Sequence, residues 1–122
     1  MSKPATNKSR EHRIIMEIVV DAYDEYERAL GWYYYLQNRF SFPFRAECIA
    51  QRIISPLRVG DKVQVVGMPP ERECLHEMFV VVRRGDGDLA IPLSQIKAVK
   101  ANAETREAVE DWHYWVNMGY QF

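Results

Sequence analysis

Between residues 14 and 40 the apolar positions recur at helical spacing. Ala22, Tyr26, Ala29, Tyr33, Leu36 and Phe40 step by three or four and so line one helix face. Ile14 and Ile18 extend that face backwards, although Ile14, Ile15, Ile18, Val19 and Val20 are β-branched and would also suit a strand. The spacing predicts one long helix over 11–40, after a polar, disordered tail over 1–10. Trp32 and Tyr35 lie off the main face, nearer Asp21, Asp24, Glu25 and Arg28. A helix with aromatics on two sides has to be covered on two sides. Ser41-Phe42-Pro43-Phe44 then breaks it and begins an extended segment.

Downstream the period changes to that of strands. Residues 44–50 alternate loosely, Lys62–Val66 alternates cleanly, and Met78–Val82 is the most apolar run. Arg83-Arg84-Gly85-Asp86-Gly87-Asp88 turns into Leu89–Leu93, a hairpin whose second strand carries Pro92 and belongs at a sheet edge. Asn102 can cap a last helix over 103–118, with Thr105, Ala108, Val109, Trp112, Trp115 and Val116 as its apolar face and Gly119 at its end. Trp112 and Trp115 are the expected cover for the second aromatic side of the first helix. Leu57–Val66, a polar loop over 69–76, the hairpin and Pro92–Ile96 together resemble an SH3-like barrel, in which a short helical turn follows the fourth strand. The expected class is therefore α+β: a small SH3-like curled sheet or barrel of about five strands over 42–99, flanked by a long N-terminal helix and a C-terminal helix, in one domain over 11–122.

Composition narrows the function classes. At 122 residues the chain can bury one core. Its formal charge of -1 creates no whole-protein field that would draw in nucleic acid or anionic lipid. No apolar run approaches the ~20 residues of a membrane span, and the polar stretch 1–13 is not a signal peptide. Cys48 and Cys74 then read as reduced, buried thiols in a cytoplasmic protein.

No phosphate-binding loop, nucleophile elbow, HExxH or CxxC is present, so nothing points to an enzyme. The candidate chemistry is carboxylate. Asp21, Asp24, Glu25 and Glu27 crowd the start of the first helix, and hard cations such as calcium take six to eight oxygen ligands. The plain alternative is a solvated face with Arg28 paired to Asp24. A straight helix cannot wrap an ion, so further ligands would come from a loop, and Glu71 and Glu73 lie in one. Asp86-Gly87-Asp88 opens like an EF-hand loop but lacks the acidic residue at its twelfth position, and it equally suits a tight turn. Cys48, Cys74, His76 and His113 would form a zinc site only if the fold gathered them. Arg83 and Arg84 could touch nucleic acid as a local patch. Glu104, Glu107 and Asp111 read as the solvent stripe of the last helix.

Four pieces carry a family resemblance: Gly31-Trp32-Tyr33-Tyr34-Tyr35-Leu36, Phe42-Pro43-Phe44, Val66-Gly67-Met68 and Asp111-Trp112-His113-Tyr114-Trp115. With them the chain resembles the small calcium-binding protein family of cyanobacteria and other bacteria, the CcbP-like family, over about residues 14–122. The resemblance implies a cytoplasmic, non-catalytic calcium buffer or sensor that uses acidic side chains without an EF-hand. Together with the clustered carboxylates it implies calcium ligands at Asp24, Glu25, Glu71 and Glu73, with Asp86 and Asp88 as a second location. The competing expectation is an SH3-like interaction module that docks a protein or RNA partner and has no metal role.

Overall fold

The computed structural model describes residues 5–122. Helix α1 (Lys8–Arg13) is capped by the Asn7 side chain, which accepts from the Arg10 amide at 2.9 Å, and runs into a π-helical turn, Ile14–Ile18. The chain then breaks, with Asp21 at φ 58°, and restarts as α2 (Glu25–Arg39). The single helix expected over 11–40 is thus two helical pieces. The expected tail over 1–10 is helical from Lys8, and residues 1–4 lie outside the described part.

The physical reason for the break is a crossing. A Cβ added at Gly31 would sit 2.2 Å from the Ile18 carbonyl oxygen, so α2 passes directly over the end of the π turn. A continuous helix cannot double back onto itself. The β-branched run at 14–20 resists helix only weakly, and Asp21 tolerates the left-handed backbone that the reversal needs.

The aromatic run of α2 is covered as its two-sided pattern requires. Trp32 is fully buried, with ring centroids 5.0 Å from Trp112, 5.5 Å from Trp115 and 6.0 Å from Tyr35. Both tryptophan partners come from α3 (Ala103–Asn117), whose cap Asn102 accepts from the Thr105 amide at 2.8 Å. Edge-to-face aromatic pairs add about 0.5–1.5 kcal/mol each beyond the area they bury.

Five antiparallel strands complete the fold: β1 (Phe44–Cys48), β2 (Lys62–Gly67), β3 (Phe79–Arg84), β4 (Gly87–Pro92) and β5 (Ile96–Lys100). Their order is β4-β3-β2-β1-β5 in one open sheet rather than a closed barrel, with β4 at one edge as Pro92 requires. Gly85, at φ 61°, takes the first central position of the two-residue β3–β4 turn. A 3₁₀ turn, Leu93–Gln95, leads from β4 into β5. Ala46, Cys48, Val65, Val80, Val82, Ile91 and Ile96 face inwards and share one core with Trp32, Leu36, Val109 and Trp112. The helices therefore cover one side of the sheet and leave the other to solvent.

Candidate metal centre

Asp24 sits at the N-cap of α2, and its Oδ1 accepts from the Glu27 amide at 2.8 Å. Capping explains an acidic residue there without any ion. Glu25, one residue on, lines a groove of about 630 Å³ together with Arg28, His76, Glu77, Trp112 and Phe122. Arg28 does not pair with Asp24; its Nε donates to the Phe122 main-chain oxygen at 2.7 Å. Glu77 is held by Arg52 through two bonds of 2.8 and 3.1 Å, and Ser94 Oγ donates to it at 3.4 Å. Glu77 follows the polar loop and belongs to no acidic run, so no sequence signal singles it out.

Glu71 and Glu73 belong to a 3₁₀ turn, Glu71–Cys74, that packs beside α2. The Tyr33 hydroxyl donates to the Pro69 carbonyl at 2.6 Å, and the Tyr34 hydroxyl donates to Glu71 Oε2. The bond to the Glu71 carboxylate pushes the Tyr34 hydroxyl above its ordinary pKa. Tyr34 follows Glu25 by nine residues, half a helical turn out of phase at about 100° per residue. The loop therefore reaches α2, as the carboxylate reading needs, but it presents Glu71 on the side of the helix away from Glu25. Glu73 is exposed, 3.9 Å from the Arg72 guanidinium. Asp86 is exposed in the hairpin turn, and Asp88 pairs with Arg83 at 3.3 Å.

The cysteine and histidine set disperses. Cys48 and Cys74 are free and buried, and burial pushes the Cys74 thiol up in pKa. His113 Nε2 contacts the Ile96 carbonyl at 2.6 Å. Among the described residues no three His, Cys, Asp or Glu side chains are grouped as a metal site.

One carboxylate lies well away from its expected place. Asp111, expected on the solvent stripe of α3, is fully buried. Arg13 grips it with Nη2–Oδ1 at 2.7 Å and Nε–Oδ2 at 3.2 Å, Arg10 Nε lies 2.9 Å from Oδ1, and the Tyr35 hydroxyl donates to Oδ2 at 2.6 Å. Both oxygens are saturated by cations and a hydroxyl, so Asp111 fastens α1 to α3 and is closed to an added ion. No sequence signal singles it out: Glu17, four residues after Arg13, is an equally good local partner on paper, and nothing local points Arg13 to α3.

The family model for CcbP, described as calcium binding, matches residues 12–116. The crystal structure of Anabaena CcbP is 41% identical, covers 100% of both chains and superposes with a TM-score of 0.88. A second structure, of a calcium-binding protein in its calcium-binding form, is also 41% identical, covers 95% of each chain and gives a TM-score of 0.85. No curated protein matches the chain.

Proposed function

Because this chain belongs to the CcbP family of calcium-binding proteins, we propose that it binds calcium through side-chain carboxylates as a cytoplasmic buffer or sensor and catalyses no reaction. The observation that carries the reading is the full-length likeness to CcbP. No helix among the described residues is long and apolar enough to cross a membrane, which is compatible with that setting.

The donor chemistry fits calcium in kind. Carboxylate and main-chain oxygens are the hard ligands it takes, and calcium tolerates irregular geometry. The arrangement is not a preformed cage, so ion binding draws the carboxylates together from separate positions. Asp24 and Glu25 hold the ion on the groove side of α2, where Glu77 and the Phe122 oxygen line the same concavity as Glu25. Glu71 and Glu73 form a separate acidic location on the other side of α2, and Asp86 and Asp88 a third at the hairpin. Bound calcium would supply positive charge that neutralises these carboxylates, and in the groove it would compete with Arg52 for the Glu77 oxygens and with Arg28 for the Phe122 oxygen.

Three paired variants test the placement: Asp24→Asn with Glu25→Gln, Glu71→Gln with Glu73→Gln, and Asp86→Asn with Asp88→Asn. Affinity is measured by competition against a calcium-chelating dye. The first pair is expected to weaken binding by roughly tenfold or more, equivalent to about 1.4 kcal/mol. Unchanged affinity in all three would sink the carboxylate assignment.

A further inference from the structure

The solvent side of the sheet carries a pattern that calcium binding does not use. Lys100, Arg45, Gln64, Arg83 and Asp88 are partners in register across all five strands. A parallel row reads Lys97, Glu47, Lys62. Cross-strand partners project to the same face, and these alternate with the buried Ala46, Val63, Val65 and Val82. Arg83 pairs with Asp88, whereas Arg45, Lys62, Lys97 and Lys100 are exposed and have no ion-pair partner among the described residues. Exposed Glu25, Glu27, Glu104 and Glu110 lie on the helices instead. The net charge of -1 thus conceals a basic sheet face.

We propose that this basic sheet face docks single-stranded nucleic acid through its phosphate backbone. Two adjoining depressions, of about 270 and 310 Å³, share Lys62, Val63 and Arg83, and guanidinium forks match phosphate oxygens. A thread-like polyanion can follow such depressions. A planar bilayer cannot enter them, and the largest exposed apolar side chain of β5, Val99, offers little to insert. From Lys100 to Arg83 is three strand spacings of about 4.8 Å, roughly 14 Å, and the unpaired Arg45, Lys62, Lys97 and Lys100 offer about four phosphate contacts on this face. The face has no exposed aromatic ring on which bases could stack, so binding is insensitive to sequence.

The test is fluorescence anisotropy with a labelled oligo-dT of about 16 nucleotides. With about four phosphates contacted, the slope of log affinity against log salt is about -3, a loss of roughly fiftyfold between about 50 and 200 mM salt. A triple variant, Arg45→Ala, Lys62→Ala and Lys97→Ala, should bind at least about tenfold more weakly and flatten the slope by about 2. These side chains are exposed, and circular dichroism checks that the variant is folded. Arg106→Ala on α3 should leave binding unchanged. The proposal is overturned by absence of oligonucleotide binding at about 50 mM salt. It is equally overturned by a triple variant that binds like the parent, by an equal loss in Arg106→Ala, or by phosphatidylserine vesicles that capture the protein when the oligonucleotide does not.

Discussion

Replacing Asp111 by alanine removes the acceptor on which Arg10, Arg13 and Tyr35 converge. The carboxylate has no exposed side-chain surface, and Arg10 and Arg13 are only 22% and 19% exposed, so water replaces the lost bonds poorly. Breaking a buried, hydrogen-bonded ion pair by deleting one partner costs about 3–5 kcal/mol. That is a large share of the about 5–15 kcal/mol that holds a domain folded. At about 2.1 cal/mol/K per residue, a 122-residue chain has an unfolding entropy near 0.26 kcal/mol/K. The melting temperature should therefore fall by roughly 12–20 °C. Tyr35→Phe leaves both guanidinium contacts in place and should cost about 1–2 kcal/mol. Urea unfolding followed by tryptophan fluorescence reads both variants, since Trp32, Trp112 and Trp115 all lie in the core. A loss below about 1 kcal/mol for Asp111→Ala would refute the argument that this network joins α1 to α3.

Four further outcomes follow. Gly31→Ala forces a methyl group against the Ile18 backbone and should destabilise by about 1–3 kcal/mol or more, where an ordinary mid-helix Gly→Ala change would stabilise; unchanged urea unfolding would show that α2 does not press on the π turn. Burial pushes the His113 imidazole below its ordinary pKa despite the opposing contact with the Ile96 carbonyl. The unfolded chain then binds the extra proton first, so stability should decline as pH falls below the ordinary histidine value of 6.5, and His113→Gln should flatten that part of the stability–pH curve. Burial, and then the bond to Asp111, push the Tyr35 hydroxyl up, so stability should also decline as pH rises above 10, and Tyr35→Phe should lessen that decline. Calcium at about 100 times its dissociation constant should add about 2.7 kcal/mol, raising the melting temperature by roughly 10 °C, and a chelator should reverse the rise in a thermal melt.

The parts of the fold that were legible in the sequence rest on short-range signals. Asn102 three residues before Thr105, the two-residue glycine turn after Arg84, and Pro92 in an edge strand each act through the local backbone. The two-sided aromatic pattern of α2 also predicted a second helix against Trp32, and α3 supplies it. The break at 19–24 was hidden because Ile14, Ile18 and Ala22 keep helical spacing through it, and only the close crossing at Gly31 forbids continuation. Asp111 was misread for a related reason. Its partners lie 76 to about 100 residues away, and a carboxylate saturated by Arg13 and Tyr35 resembles a solvated one in sequence. The acidic candidates were legible as a composition, but their grouping was not. Tyr34 holds Glu71 on the far side of α2 from Glu25, and Glu77 reaches the groove from a loop whose path the sequence does not encode locally.

The most direct measurement is calorimetric titration of the chelator-stripped protein with calcium, with magnesium as the control. Calcium should release or take up heat along a saturable isotherm in the micromolar range or tighter, with magnesium far weaker because it demands a rigid octahedral cage that these separate carboxylates do not offer. Heat indistinguishable from buffer up to millimolar calcium would contradict the account: the chain would then keep the family's fold without its ion.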